Sequence, residues 1–123
     1  MKNNISQASV KTLLAVVFTV FAITSKIYAQ DGKKLFKQNC AVCHASHTEA
    51  MSTGPGLKGI YDRVQPGSLT KDAWLTKWIL DNGKLTKSGD AYANQITSKY
   101  GAGKMTVFEG QLTEKDVAAI LEF

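Results

Sequence analysis

The chain has 123 residues and a formal net charge of +5, with 44% hydrophobic and 20% charged residues. This length suits a single domain, and the composition excludes wholesale disorder, a collagen-like repeat and a disulfide-dense scaffold. The basic balance raises the question of nucleic-acid binding, because clustered lysine and arginine side chains bind phosphate. Whether such binding is expected depends on how many of the basic residues belong to the folded domain.

The first 29 residues have the features of a secretory signal peptide. Lys2 and Lys11 flank a polar start, an apolar run follows over residues 13–23, and no acidic residue occurs before the run ends. A helix of that run is about 16 Å long, roughly half of a membrane's hydrocarbon core. We therefore predict a signal peptide over residues 1–29, cleaved after Ala29. A retained amino-terminal anchor is the alternative.

The mature domain is predicted to be residues 30–123. Loss of the leader removes three lysines and no acidic residue, so the net charge falls from +5 to +2. A nucleic-acid partner is therefore not expected. A domain of 94 residues is near the size at which an apolar core alone gives only marginal stability. We therefore expect an additional source of stability.

The mature domain is predicted to be all-α, with about four short helices and long loops. No convincing period-two alternation is present, whereas helix start and stop signals are clear. The predicted start residues are Asp31, Thr70, Asp90 and Thr113, and the predicted stops of the second and third helices are Gly83 and Gly101. Residues 45–69 are rich in glycine and contain both prolines, so we expect no regular structure there.

A Cys-x-x-Cys-His motif at residues 40–44 carries the main chemical signal. Two thiols one helical turn apart suit the two vinyl groups of haem, and the next histidine suits an axial position. Cys40, Cys43 and His44 are thus predicted to hold one covalently attached haem c. Three alternatives are a small disulfide loop, a thioredoxin-like redox pair and a zinc site that includes His47.

With this motif the chain resembles the class I cytochrome c family, in particular single-haem domains of bacterial respiratory chains. Gly32 and Phe36 match the small and aromatic pair on the family's first helix, and Ile120 and Phe123 match the pair on its last helix. The segment over residues 53–60 resembles the family's Gly-Pro-x-Leu-x-Gly segment. The resemblance implies a small cytochrome c fold in which the first and last helices cross and the loops wrap around the haem.

The resemblance also implies further cofactor contacts. The carbonyl of Pro55 is expected to accept a hydrogen bond from Nδ1 of His44, which would direct Nε2 to the iron. Arg63 is expected to face a haem propionate, with a solvated loop arginine as the alternative. The residues themselves, apart from the resemblance, place Trp74 four positions before Trp78 on the predicted second helix, so it is expected to pack beside the haem. Its indole N–H could then donate to a propionate, and an ordinary core residue is the alternative.

Met105 is the sixth ligand that the resemblance implies. The segment Met105-Thr-Val-Phe108 resembles the family's Met-Pro-x-Phe loop, with threonine in place of the usual proline. That change removes a φ restraint, so the loop is expected to be less rigid. Other interpretations are an ordinary packing methionine, or replacement by another ligand. The replacement candidates are Lys99, Lys104 and, least suited, His47.

These features predict a one-electron carrier with His/Met ligation that exchanges electrons with redox proteins through an exposed haem edge. The expected location is the periplasm, either free or attached to the periplasmic face of the inner membrane. The alternatives are a haem enzyme or small-ligand sensor with a displaceable Met105, and a fixed subunit of a respiratory complex. Several lysines either attract an acidic partner or are ordinary solvated residues. They are Lys33, Lys34, Lys37, Lys99 and Lys104.

Overall fold

The structure is a computed structural model of the chain that describes residues 32–101 and 105–123. This described part contains five α-helices and no strand, with one isolated bridge between Glu109 and Leu112. The helices are α1 (32–39), α2 (Ile60–Arg63), α3 (Lys71–Lys87), α4 (Ala91–Tyr100) and α5 (Glu114–Glu122). The all-α prediction is confirmed. The predicted signal peptide and the predicted cap at Asp31 lie outside the described residues.

The short helix α2 was not predicted. It begins after Gly59, whose φ of 65° is left-handed, and ends where the Val64 N–H donates to the Ile60 carbonyl at 3.1 Å. The expectation that residues 45–69 lack regular structure is therefore wrong for these four positions. Residues 60–63 contain neither glycine nor proline, so nothing in them opposes a single turn once Gly59 has reversed the chain.

Helix α3 begins as predicted, with the side chain of Thr70 accepting from the Ala73 N–H at 3.2 Å. The predicted stop at Gly83 is wrong, because the helix continues to Lys87. The interruption occurs instead at Asp81, which has φ −153° and ψ 89°. Its carboxylate accepts the Lys84 N–H at 2.8 Å and so caps a second helical segment, which asparagine and aspartate side chains do well.

Helix α4 has both of its predicted ends. The Asp90 side chain accepts from the Ala93 N–H at 2.8 Å, and the chain turns at Gly101, where φ is 92°. The bond to Asp90 satisfies the Ala93 N–H, which has no acceptor within the first turn of the helix. At the other end, the Gly101 N–H donates to the Thr97 carbonyl. The local signals at the two ends therefore determined this helix.

Helix α5 begins with the predicted capping box. The Thr113 hydroxyl accepts from the Asp116 N–H at 3.2 Å, and the Asp116 carboxylate accepts from the Thr113 N–H at 2.9 Å. Val117, in the first turn, is fully buried. The cap thus fixes the start of the helix that carries Val117, one of the two largest fully buried side chains.

Helices α1 and α5 cross at a glycine, as the resemblance implied. A Cβ atom built on Gly32 would lie 1.9 Å from the carbonyl oxygen of Ala119. The Phe36 and Phe123 rings are 5.6 Å apart between centroids at the same crossing. Only glycine at position 32 allows the two backbones to approach this closely.

The buried apolar residues form two clusters. The first joins α1, α5 and the segment before α5, and its buried members are Phe36, Phe108, Leu112, Val117 and Ile120. The second joins α3 and α4, and its buried members are Val64, Trp74, Leu75, Leu85 and Ala93. Within residues 32–101 and 105–123, no helix is both long enough and apolar enough to cross a membrane.

Candidate functional site

The Cys-x-x-Cys-His motif continues the last turn of α1. The Cys40 N–H donates to the Phe36 carbonyl at 2.8 Å, and the Cys43 and His44 N–H groups donate to the Cys40 carbonyl at 3.1 and 2.9 Å. These bonds hold the two cysteines one turn apart. Both thiols are free and half-buried, and Val42 between them is 81% exposed. The motif therefore presents two thiols at the edge of the fold.

The geometry does not favour a redox pair or a zinc site. Burial raises the pKa of the Cys40 thiol above its ordinary value, and a protonated thiol is a poor nucleophile for disulfide exchange. The described residues also include no strand for a thioredoxin-like unit. In the same part of the chain, no group of three histidine, cysteine or acidic side chains is placed to hold a metal ion.

His44 is held by the hydrogen bond that the resemblance implied. Its Nδ1 atom lies 2.8 Å from the Pro55 carbonyl oxygen. A carbonyl oxygen can only accept, so Nδ1 carries the hydrogen and the lone pair of Nε2 points to the opposite side of the ring. The imidazole is therefore prepared to bind a metal through Nε2.

The loop that supplies Pro55 is packed tightly around the His44 ring. The Gly54 N–H donates to the Cys43 carbonyl at 2.7 Å, and the Leu57 N–H donates to the Ala45 carbonyl at 2.8 Å. A Cβ atom on Gly54 would lie 2.7 Å from Cε1 of His44. The absence of a side chain at Gly54 leaves the space that the ring occupies.

Arg63 secures the same loop from α2. Its guanidinium donates to the Gly56 carbonyl at 2.9 Å and to the Lys58 carbonyl, and it lies 3.9 Å from the Glu49 carboxylate. The structure therefore shows Arg63 bound to the loop backbone. Its contact with a haem propionate stays a prediction.

Trp74 has a different partner from the one expected. Its indole N–H donates to Oδ1 of Asp90 at 3.1 Å, and its ring stacks on that of Trp78 with centroids 5.3 Å apart. The side chain is 1% exposed. An indole has one N–H to donate, and in this structure Asp90 accepts it. The contact of Trp74 with the haem stays a prediction.

Met105 is half-buried against the first cluster, the same cluster that Cys40 contacts. Three residues further on, the Phe108 N–H donates to the Leu80 carbonyl at 2.9 Å, which ties this segment to α3. The Met105 thioether and the Cys40 thiol therefore border one apolar region.

The competing ligands are less well placed. Met51 is 59% exposed and His47 is also exposed. Lys99 is exposed and its ammonium lies 5.1 Å from the centroid of the Tyr100 ring. Lys104 lies outside the described residues.

Asn82 was missed by the sequence analysis. It is 7% exposed, and among the described residues no acceptor lies within hydrogen-bonding distance of its Nδ2 atom. A buried amide donor without a partner is costly and is uncommon unless a ligand or water accepts from it. The Asn82-Gly83 pair was interpreted as a helix stop, so its sequence signal pointed elsewhere.

These residues fit a covalent haem. Two free thiols lie one turn apart, the imidazole has its Nε2 lone pair available, and the buried Asn82 amide still needs an acceptor. Cys40 and Cys43 would attach the group and His44 would bind its iron.

The Cytochrome c family model matches residues 29–123. A cytochrome c6 of Picosynechococcus sp. is 31% identical over 114 residues, which cover 89% of this chain and 85% of that protein. A cytochrome c of Euglena viridis is 49% identical over 99 residues, which cover 77% of this chain and 92% of that protein. A cytochrome c6 of Porphyra purpurea is 30% identical over 115 residues, covering 87% and 86%. No solved structure matches the chain significantly.

The family match and the geometry agree. The cofactor is one covalently bound haem c with its iron, for which Cys40 and Cys43 form the attachment motif. The function is electron transfer with redox protein partners rather than catalysis, so the enzyme alternative is set aside. The chain belongs to the cytochrome c family.

Proposed function

We propose that Nε2 of His44 and the sulfur of Met105 are the two axial ligands of the iron. The observation that carries the proposal is the 2.8 Å hydrogen bond between Nδ1 of His44 and the Pro55 carbonyl, which fixes the ring and its tautomer. The half-buried position of Met105, beside the cluster that Cys40 contacts, supports the second ligand. Exposed Met51 lacks this support.

With both axial positions filled by side chains, the protein keeps its ligands in place as the charge changes. Haem supplies an iron that changes between the ferrous and ferric states, and a thioether favours the ferrous state. The contribution of the chain is to orient His44, to bury the thioether and to limit the access of water. One-electron outer-sphere transfer is the function that such a site supports.

The proposed site of electron exchange is the haem edge near the two cysteines. Val42, between them, is 81% exposed, so a partner can approach this edge closely. On α1, Lys33, Lys34 and Lys37 are also exposed. We propose that they attract an acidic redox partner, in which case the association rate falls as salt is added.

We propose that the protein is exported and matures in the periplasm after cleavage of residues 1–29. The positive start, the short apolar run and Ala29 support this proposal. Cell fractionation and the mass of the mature chain test it. Recovery only with membranes and with an uncut amino terminus would favour the membrane-attached or respiratory-complex alternative.

The ligand assignment is tested with two methionine variants of the holoprotein. The ferric wild-type protein should show the weak near-infrared sulfur-to-iron band, and Met105→Ala should abolish it. Met51→Ala is the matched control and should retain the band. A band that survives Met105→Ala, or is absent from the wild type, would reject Met105 as the ligand.

A further inference from the structure

The interruption of α3 at Asp81 changes the partner of one backbone N–H group. In a regular helix the Lys84 N–H would donate to the carbonyl four residues earlier, that of Leu80. Asp81 has φ −153° and ψ 89°, which breaks the turn between those two residues. The Lys84 N–H donates instead to Oδ1 of Asp81 at 2.8 Å.

The same interruption directs the Leu80 carbonyl to another segment. The Phe108 and Glu109 N–H groups both donate to it at 2.9 Å. A carbonyl oxygen has two lone pairs and can accept both bonds. The segment that follows Met105 is thus attached to α3 at the point where the helix is broken.

A second contact joins the same two segments. The Lys84 ammonium donates to both carboxylate oxygens of Glu109, at 2.9 and 3.0 Å. Both side chains are exposed, so this ion pair is expected to add little by itself. The backbone bonds to Leu80 are the stronger part of the attachment.

The attached segment is also part of the haem-side core. Phe108 is 7% exposed and belongs to the cluster against which Met105 packs. Leu80 contacts that cluster as well. The position of the Leu80 carbonyl therefore limits the positions available to Met105, three residues before Phe108.

We propose that Asp81 is a positioning residue for the Met105 ligand, which it serves by leaving the Leu80 carbonyl free for Phe108 and Glu109. This inference rests on the proposed axial role of Met105. Thr106 provides no ring restraint on φ, so a restraint from α3 compensates for the missing proline. Without the Asp81 carboxylate, the Lys84 N–H has the Leu80 carbonyl as its nearest helical acceptor, and it competes with the two backbone bonds that attach the Met105 segment to α3.

The test measures the displacement of Met105 by imidazole in the ferric holoprotein, followed through the loss of the near-infrared band. Asp81→Ala removes the cap and should increase the apparent affinity for imidazole about fivefold. This is the change in an equilibrium constant that corresponds to the free energy of one N-cap, about 1 kcal/mol. Asp81→Asn retains a capping oxygen and should stay within about twofold of the wild type. Glu109→Gln isolates the ion pair and should also have little effect.

Asp72→Ala is the matched control, because it removes a carboxylate from the first turn of the same helix. The proposal is wrong if Asp81→Ala lowers stability but binds imidazole as the wild type does, or if Asp81→Asn behaves like Asp81→Ala. If Asp81→Ala does not accumulate as holoprotein, Asp81→Gly makes the same comparison at a smaller cost to the helix. A wild type without the band would reject the Met105 assignment itself, which is a separate outcome.

Discussion

Nδ1 of His44 and the carbonyl oxygen of Pro55 lie 2.8 Å apart, although eleven residues separate them in the chain. The intervening loop returns to the motif through the bond of the Gly54 N–H to the Cys43 carbonyl at 2.7 Å. The orientation of the imidazole is thus determined by a glycine-rich loop, and not by α1, which ends just before Cys40.

Gly54→Ala should disturb the orientation of His44. The new Cβ atom would lie 2.7 Å from Cε1 and 2.9 Å from Nδ1 of the ring, so either the ring or the loop must move. We expect a loss of stability of about 1–3 kcal/mol and an altered haem spectrum. Denaturant unfolding and the visible spectrum of the holoprotein measure the two effects.

Gly67→Ala controls for the replacement of any loop glycine. Gly67 has φ 62°, but a Cβ atom there would meet nothing within 4 Å. Because alanine is strained at this φ, Gly67→Ala should lower the free energy of unfolding by about 1 kcal/mol and leave the haem spectrum unchanged. Equal spectra for the two variants would contradict the role of Gly54.

Gly32→Ala should weaken the crossing of α1 and α5. The added methyl group would lie 1.9 Å from the Ala119 carbonyl oxygen, and because that atom is backbone, the helices must separate. We expect a loss of at least about 2 kcal/mol in the free energy of unfolding. Lys34→Ala, on the exposed side of α1, should change it by less than about 0.5 kcal/mol. Similar unfolding midpoints for the two variants would show that the close approach is not required.

Asp90→Ala should remove two hydrogen bonds at once. Oδ1 of Asp90 accepts from the Ala93 N–H at 2.8 Å and from the Trp74 indole at 3.1 Å. We expect a loss of about 2–3 kcal/mol, in which the helix cap contributes about 1 kcal/mol and the unpaired buried indole the remainder. Urea unfolding measures it.

Asp90→Asn keeps an oxygen acceptor and is the control for Asp90→Ala. In a double-mutant cycle with Trp74→Phe, part of the cost of Asp90→Ala should disappear, because no indole is then left unpaired. Full additivity would argue against the Trp74–Asp90 bond.

Asp116 should make stability depend on pH in the acid range. The hydroxyl and backbone N–H of Thr113 lower the pKa of its carboxyl below the ordinary value. The resulting stabilisation is present above the unfolded-state pKa of about 3.9 and is lost as the pH falls through the lower folded-state pKa. Asp116→Asn should flatten this part of a curve of unfolding free energy against pH. An unchanged slope would contradict the capping role of the carboxylate.

Local signals made much of the fold predictable. The caps at Thr70, Asp90 and Thr113 each depend on residues three positions away, and the haem motif on five consecutive residues. Such short-range patterns specify their own hydrogen bonds. The His44–Pro55 bond was predicted only because the whole segment resembles a known family.

The features that were missed depend on tertiary contacts. The interruption at Asp81 coincides with the bonds from the Met105 segment to Leu80, which no helix signal encodes. The pairing of Trp74 with Asp90 spans two helices. In both cases the sequence shows a group that can donate or accept, but its partner is decided by packing between elements.

The most direct test of the account is a spectroelectrochemical titration of the purified wild-type holoprotein across the visible and near-infrared. It should give a single reversible one-electron transition, with the sulfur-to-iron band present in the oxidised form and absent in the reduced form. A transition that is not one-electron, or an oxidised form without that band, would contradict a His44- and Met105-ligated electron carrier.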